Sequence, residues 1–315
     1  MITTVTLNPA IDREYFVTEH VPKKHKYLYE ENDIKVYPGG KGLLTAVNLK
    51  RLGHSDVQNI GFVGGKQGLF FEKMVQEYKI TTNYIYTENE IRNNVFIIAK
   101  DPVTYTHYND YTYKVNKREV GHLLKRFRRA ITDSEMVIIA GSIPEGVDFD
   151  IYKRMIEVCN ELNKDVYLQA SGEALNLSLS EKPKLVSPYF KHTKKVYDQE
   201  VVEFEDYVRM SWKLIEEGAQ NVIIPFHCDR LIFTEGKVYT VSPVDFCLTN
   251  WLGAGDAYNA GLCDYISRNG FDLIEANRYG AAAALAVAEN KSIFIVNRDM
   301  IEENLNRIEI KELEV

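Results

Sequence analysis

The sequence predicts an α/β fold in which a mainly parallel sheet lies between two layers of helices. Two observations support this fold. Short apolar segments alternate with segments of helical period along the 315 residues, as is typical of parallel sheets covered on both faces. Two further segments, 14–37 and 94–113, interrupt the alternation with β-branched and aromatic residues, which favour strands. The chain therefore predicts a layered core with an additional β structure.

The elements of the core follow from their apolar periodicity, taken in order along the chain. The first helix, at 41–52, has a clear end because Gly53 follows its last apolar residue, and glycine commonly terminates helices. The other helices are predicted at 68–78, 119–131, 148–162, 204–217, 254–266 and 274–288. Strands are predicted at 2–7, 57–63, 136–140, 165–168 and 222–225.

The segments 14–37 and 94–113 are both predicted to be hairpin strands, and two interpretations of them stay open. They could form one small sheet that projects from the core, or they could be edge strands of the main sheet. An exposed aromatic sheet usually covers a ligand or a partner. No linker separates two domains, so residues 1–315 are expected to form one domain with these two segments as an appendage. The charged segment 299–315 is expected to be helical.

Composition argues against several classes of function. The net charge is -7, from 45 acidic and 38 basic residues, so the overall field disfavours binding to nucleic acid or to an anionic membrane. The four cysteines have neither metal-ligand spacing nor a disulfide pattern. No signal peptide and no apolar stretch long enough to span a bilayer is apparent. A cytoplasmic protein is expected.

The stretch Leu252-Gly253-Ala254-Gly255-Asp256-Ala257 opens a predicted helix and is the strongest candidate for chemistry. Small residues at a helix N-terminus let an anion approach free N–H groups, and the helix dipole stabilises its charge. Asp256 could then accept a proton from an attacking hydroxyl group. The alternative is that the glycines serve packing and that Asp256 caps the helix.

Other polar residues lie after predicted strands, where ligands bind in open α/β sheets, or at the start of the second hairpin segment. Gly39, Gly40 and Lys41 open the first helix, but G-x-x-x-x-G-K-[ST] is absent, so the motif is not a P-loop. Lys41 could reach a phosphate or could be a solvated lysine. Each further candidate also has a structural interpretation as a turn or surface residue. These candidates are Asp12, Arg92, Asn94 and Ser142.

Six motifs, taken together and in this order, resemble the ribokinase-like sugar kinases of the phosphofructokinase B type. The resemblance extends over essentially the whole chain and is nearest to the branch of 1-phosphofructokinase and tagatose-6-phosphate kinase. The motifs are Asn8-Pro9-Ala10-x-Asp12, Gly39-Gly40-Lys41-Gly42, Arg92-x-Asn94-Val95, Gly141-Ser142-x-Pro144, Ser171-Gly172-Glu173-Ala174-Leu175 and Gly253-Ala254-Gly255-Asp256.

The resemblance implies a three-layer core with a small β-sheet lid over the sugar site, and a homodimer formed through two lids. It implies ATP as co-substrate, magnesium, and a phosphorylated ketose of the fructose-1-phosphate or tagatose-6-phosphate type as acceptor. Asp256 would be the general base, and Gly253, Ala254 and Gly255 would form the anion hole. The residues implied at the sugar are Asp12, Gly39, Gly40, Lys41, Arg92, Asn94 and Ser142.

The motifs of the nucleotide side depart from the family pattern. The Asn and Glu that the family carries after the strand near 184–186 are replaced by Tyr189 and His192, and 225–230 lacks the glycines of the family's phosphate turn. Lys194 and Arg230 are then the expected nucleotide-binding residues, together with Gly253 and Gly255. Two alternatives to a sugar-phosphate kinase stay open: a non-catalytic sugar-phosphate sensor, and a kinase of nucleosides or vitamins, which Lys41 and Arg92 disfavour.

Overall fold

The computed structural model describes every residue except 19–27, 29–32, 101–102, 112, 189–194, 197–198, 248–251, 291, 296 and 315. Within the described residues, ten strands form one large sheet. Seven neighbouring strands in this sheet are β1 (Ile2–Thr6), β4 (Val57–Gly64), β5 (Thr81–Thr87), β8 (Met136–Ala140), β9 (Asp165–Gln169), β10 (Leu185–Val186) and β13 (Val222–Phe226). They run parallel in the order β13-β10-β9-β8-β1-β4-β5.

Three antiparallel strands extend the sheet beyond β13. They are β14 (Asp229–Thr234), β15 (Lys237–Pro243) and β16 (Ile308–Leu313). The expectation that 299–315 is helical is wrong for β16. Glu, Lys and Leu favour helices, but six residues of β16 pair with β15, and this pairing at the open sheet edge outweighs local propensity. Only the first part of the segment is helical.

Helices cover both faces of the large sheet, so the predicted three layers are confirmed. The helices are α1 (Lys41–Arg51), α2 (Gly65–Glu77), α3 (Lys117–Ala130), α4 (Ile151–Glu161), α5 (Gly172–Ser178), α6 (Phe204–Glu216), α7 (Ala254–Asn269), α8 (Leu273–Ala288) and α9 (Asp299–Asn304). On β4, Gln58 faces α3 and donates to Ala130 O, whereas Asn59 faces the opposite side and bonds to Thr6, next to α1. Helices α1, α7 and α8 pack together on the α1 side, and α3, α4 and α5 pack together on the other.

The two aromatic segments contribute to a separate small sheet, which we call the lid. Its strands are β2 (Ala10–Val17), β3 (Ile34–Gly39), β6 (Arg92–Lys100) and β7 (Val103–Asn109), in the order β3-β2-β6-β7. Pairs β2–β3 and β6–β7 are antiparallel, and β2–β6 is parallel. The prediction of a small projecting sheet is therefore confirmed, and the alternative of edge strands in the main sheet is wrong. A short antiparallel pair is formed by β11 (Lys195–Val196) and β12 (Gln199–Glu200).

Local sequence explains how several helices begin. Asn116 caps α3 in a capping box, in which it accepts from Glu119 N while the Glu119 carboxylate accepts from Asn116 N, so two N–H groups at this end of the helix are satisfied. At α7 the cap is Gly253, with φ of 80°. In the described part of the chain, no helix is long and apolar enough to cross a membrane.

Candidate active site

A cavity of about 470 Å³ lies between the lid and the carboxyl ends of the central parallel strands. The N-termini of α1 and α7 both open into it, at Gly40 and at Gly253. Two helix N-termini directed at one space favour the binding of negative charge there. The arrangement matches the expected position of a ligand in an open α/β sheet.

The glycines at the start of α7 have different structural reasons. A Cβ on Gly253 would lie 2.1 Å from Ile293 O, so no side chain fits there. A Cβ on Gly255 would meet nothing within 4 Å, and Gly255 lines the cavity. The N–H groups of Asp256 and Ala257 bond to Gly253 O, whereas the earlier N–H groups of a helix have no acceptor within the helix. The geometry therefore leaves room for an anion at these amides.

Asp256 is in the first turn of α7 and is only 7% exposed. Its Oδ1 atom is buried and has no hydrogen-bond partner among the described residues. Burial raises the pKa of the Asp256 carboxyl above its usual value, and the nearby Lys41 ammonium partly offsets this effect. A buried carboxylate oxygen without a partner, next to an anion site, can accept a proton from a bound hydroxyl group.

The glycines before α1 also allow a close approach, each in a different way. Gly40 lines the cavity and has φ of 131°, and a Cβ there would lie 2.5 Å from Thr6 Cγ2. Gly39 does not line the cavity. A Cβ on Gly39 would lie 2.0 Å from Asp12 Oδ2, so Gly39 serves the site by leaving space for the Asp12 carboxylate.

Hydrogen bonds connect the polar side chains of the lid with those of the core. Asn94 Nδ2 donates to Asp12 Oδ1 at 2.7 Å, and Arg92 donates to Asn94 Oδ1 at 3.1 Å and to Asn8 O at 3.3 Å. Asn8 Nδ2 in turn donates to Ser142 Oγ at 3.0 Å. These bonds span β2, β6 and the loop after β8, so they hold the lid in a defined position over the core.

The Asp12 carboxyl is the second buried acid of the site, with 7% exposure. Burial raises the pKa of Asp12 to about 6, although the Asn94 hydrogen bond and the Arg92 charge lower it, and Glu14 and Asp256 add to the increase. Glu14, two residues farther along β2, is also buried and accepts a hydrogen bond from Tyr37 OH at 2.7 Å. The two acids nearest the cavity are therefore both held in surroundings that disfavour their charge.

Most of the residues predicted from the sequence line this cavity: Asp12, Gly40, Lys41, Arg92, Asn94, Ser142, Gly253, Gly255 and Asp256. Gly39 and Ala254 lie beside it. Lys194 falls outside the described residues. Arg230 is half-buried on β14, away from the cavity, with its guanidinium 4.9 Å from the ring centroid of Tyr258 in α7. Its role toward a nucleotide stays a prediction.

Sequence reasoning missed several lining residues. Asn8 belongs to the first of the six motifs, which by itself predicts no role for it, although its side chain bonds to Ser142. Tyr37, His107 and Asn109 also line the cavity. The aromatic and polar alternation of β3 and β7 shows that these strands have two faces, but which face meets the core depends on how the strands pair.

The site fits a nucleotide phosphate and a metal ion that arrives with it. Among the described residues, no group of three or more His, Cys, Asp or Glu side chains is placed to hold a metal. Magnesium often needs only one or two carboxylates, because phosphates and water supply its other ligands. The open space at Gly255 and the first amides of α7 suit a terminal phosphate.

Comparison with known proteins gives a consistent result over nearly the full length. A family model described as pfkB family carbohydrate kinase matches residues 5–297. A 1-phosphofructokinase of Bacillus subtilis is 31% identical over 295 residues, covering 93% of this chain and 94% of that protein. A 1-phosphofructokinase of Borreliella burgdorferi is 29% identical over 91% of this chain and 92% of its own length. A crystal structure from Thermotoga maritima, described as a possible 1-phosphofructokinase, matches with a TM-score of 0.93 at 27% identity, covering 99% of each chain.

Proposed function

The chain belongs to the pfkB family of carbohydrate kinases, and from this premise we propose that it transfers the terminal phosphoryl group of ATP to a hydroxyl of a phosphorylated ketose. Fructose 1-phosphate is the first acceptor to test, because two relatives that match most of the chain are named 1-phosphofructokinases. Tagatose 6-phosphate is the second.

One observation carries the proposal. The Oδ1 atom of Asp256 is buried and has no partner among the described residues, and the residue borders the same cavity as Gly255 and Arg92. A buried carboxylate oxygen without a hydrogen-bond partner lowers the stability of a fold, so a purely structural role does not explain Asp256. A substrate hydroxyl would satisfy this oxygen.

The chemistry follows from the positions of these groups. The ketose hydroxyl oxygen forms a bond to the terminal phosphorus of ATP as the bond from that phosphorus to the bridging oxygen breaks, and ADP leaves. The hydroxyl proton passes to Asp256. The amides at the start of α7 face the oxygens of the transferred group, where they stabilise its charge. Bound magnesium would neutralise charge on the phosphates of the nucleotide.

The cations of the cavity favour an acceptor that already carries phosphate. Arg92 offers a planar fork of donors, and its Nε is buried without a partner among the described residues, so an anion can add to the bonds that Arg92 makes. Ser142 Oγ accepts from Asn8 and keeps its own proton for donation. Lys41 lies at the start of α1 and acts on the Asp256 carboxyl, so we place it between the sugar and the transferred phosphoryl group.

A second candidate function is a sugar-phosphate sensor without catalysis, and one observation favours it. Strands β13 and β14 are joined by a two-residue turn, in which His227 has φ of 52°. A non-glycine residue in this left-handed conformation is uncommon, and neither residue of the turn is a glycine, the residue that lets backbone amides approach a phosphate without a Cβ between them. The nucleotide would then depend on α7 and on basic side chains such as Arg230.

The deciding experiment measures ADP release from ATP in the presence of fructose 1-phosphate, tagatose 6-phosphate and their unphosphorylated sugars, with and without magnesium. Magnesium-dependent release with one ketose phosphate, and little with the free sugars, is the expected result. Tight binding of a ketose phosphate without any ADP release would favour the sensor.

We also propose a homodimer through the outer face of the lid. Ile34, Val36 and Tyr108 are exposed large apolar residues on the face of the lid that points away from the cavity, and exposed apolar faces of this kind commonly mark interfaces. Sedimentation velocity at micromolar concentration tests the pairing, and a strict monomer would contradict it.

A further inference from the structure

The cavity-facing side of the lid presents its residues in two rows, because paired residues of neighbouring strands point to the same face of a sheet. The inner row, nearer the core, contains Asp12, Asn94 and Asn109, which pair across β2, β6 and β7. The outer row contains Glu14, Phe96 and His107, which pair in the same way. The two rows are thus two residues apart along each strand.

The outer row offers few polar groups to a ligand. The Glu14 carboxylate is buried and bonded to Tyr37 OH, and Phe96 has no polar side-chain atom. His107 is therefore the member of this row whose side chain brings nitrogen atoms to the cavity wall. It lies on β7, the strand of the lid farthest from β3.

The imidazole of His107 is held in a fixed plane. Its ring stacks on Phe96, with the ring centroids 3.9 Å apart and an angle of 14° between the planes. Both residues line the cavity. A ring fixed by stacking loses little freedom when it binds, which favours directional hydrogen bonds.

We propose that His107 binds a hydroxyl group of the ketose on the side of the sugar away from the core, and that it contributes to selection among ketose phosphates. The inference rests on the proposed function. The inner row and Arg92 bind the side of the sugar near the core, and His107 binds the opposite side. A sugar hydroxyl both donates and accepts, so either neutral tautomer of the imidazole serves.

Two substitutions separate hydrogen bonding from packing. His107→Phe keeps an aromatic ring against Phe96 and removes both nitrogens, whereas His107→Gln keeps polar atoms and removes the aromatic stack. We expect His107→Phe to raise KM for the preferred ketose phosphate about tenfold, with KM for ATP unchanged. His107→Gln should lose less. A wild-type KM in His107→Phe would overturn the proposal, and thermal unfolding of each variant checks that it is folded.

Monodeoxy analogues of the ketose phosphate identify the hydroxyl. One analogue should bind about tenfold more weakly to the wild type than the full ketose phosphate does. This analogue should bind His107→Phe and the wild type with equal affinity, because it already lacks the hydroxyl that His107 would bind. If, for every analogue, the affinity lost through the missing hydroxyl and the affinity lost through His107→Phe add fully, the proposed contact is contradicted. The same comparison by calorimetric titration does not need turnover. If the wild type neither binds nor phosphorylates any ketose phosphate, the proposed function fails. If the wild type phosphorylates a ketose phosphate and His107→Phe has the same KM for it, only the inference about His107 fails.

Discussion

Asn94 Nδ2 donates a 2.7 Å hydrogen bond to Asp12 Oδ1, joining two lid strands at the wall of the cavity. The bond leaves Asp12 Oδ2 beside Gly39, where only a residue without Cβ fits. Asp12 is thus oriented from both sides, with one oxygen bonded and the carboxylate directed by the backbone of β3. This orientation suits a group that binds sugar hydroxyls, because such groups must be placed before the ligand arrives.

Asp256→Asn is expected to lower kcat by about 10²- to 10⁴-fold, since it removes the base that we propose for the hydroxyl proton. Binding of the ketose phosphate should persist, because the amide keeps an oxygen at the same place. Asp148→Asn, at an exposed position outside the cavity, is the matched control. Steady-state kinetics decide the matter, and a variant that keeps more than about a tenth of the activity would contradict the assigned role.

The charge of Asp12 is expected to lower the stability of the fold but to strengthen binding of the sugar. Its pKa in the folded protein is about 6, above the usual 3.8, so the native state holds a proton that the unfolded chain has released. The free energy of unfolding should therefore fall as pH rises from about 4 to about 6. Asp12→Asn should remove this dependence and stabilise the protein above about pH 6 by about 1–3 kcal/mol.

The same substitution should weaken binding of the ketose phosphate, because the ionised carboxylate is the better acceptor for sugar hydroxyls. For the wild type, we expect affinity to fall below about pH 6 as Asp12 becomes protonated. Denaturant unfolding and calorimetric titration across this pH range measure the two effects. Asp148→Asn again serves as control, and an Asp12→Asn protein that is less stable than the wild type above about pH 6 would contradict the claim that the buried Asp12 charge destabilises the fold.

Arg92→Ala should weaken binding of the ketose phosphate more than binding of ATP. A charge-assisted hydrogen bond is worth about 1.5–3 kcal/mol, and Arg92 also orients Asn94 and contacts Asn8 O. Arg92→Lys keeps the charge but not the planar fork, so it should recover only part of the loss.

Lys41→Ala should weaken binding of both ligands, because we place Lys41 between the sugar and the transferred phosphoryl group. Calorimetry with each ligand separates these cases, and equal losses in Arg92→Ala would rule out a sugar-phosphate role.

Gly255→Ala should reduce turnover without lowering stability. A Cβ at Gly255 would meet no protein atom within 4 Å, so it would occupy the space that we propose for the transferred phosphoryl group. Gly121→Ala is a matched control, because a Cβ there also meets nothing within 4 Å and the residue lies in α3. Both variants should gain up to about 1 kcal/mol of stability from helix propensity. Unchanged kcat in Gly255→Ala would show that phosphate does not approach this amide.

The altered nucleotide side should make ATP binding weak relative to sugar-phosphate binding. The turn between β13 and β14 carries His227 instead of glycine, and Arg230 is the nearby cation, stacked on Tyr258 of the same helix as Asp256. Arg230→Ala is expected to weaken ATP binding further and to leave sugar-phosphate affinity unchanged. Arg209→Ala, at an exposed position on α6, controls for charge. A low-micromolar dissociation constant for magnesium-ATP that Arg230→Ala does not change would contradict this account.

Several features of the fold could be predicted because they depend on local sequence. The alternation of apolar segments predicted the parallel strands and their helices, and Gly53 correctly marked the end of α1. The failure at β16 has the opposite origin. Its residues favour a helix when taken alone, and the strand exists because β15 offers an unpaired edge 65 or more residues earlier in the chain.

The site shows the same division. Glycine motifs, strand ends and the start of the second hairpin segment pointed to Asp256, Asp12, Ser142 and Arg92, and all four line the cavity. Tyr37, His107 and Asn109 carry no such local signal. They reach the cavity because β2 pairs with both β3 and β6, and β6 pairs with β7, which turns one face of each lid strand inward.

The sequence by itself determined the layered α/β core, the helix N-terminus that carries Asp256, and the acids and cations around it, because these depend on period, capping and backbone freedom within short segments. Only the tertiary structure decided that Gly39 makes room for Asp12, that Arg230 lies on Tyr258 outside the cavity, and that His107 faces the site. Those relationships join strands and helices far apart in the chain, and strand order and pairing register, which no local pattern encodes, set which of their side chains meet.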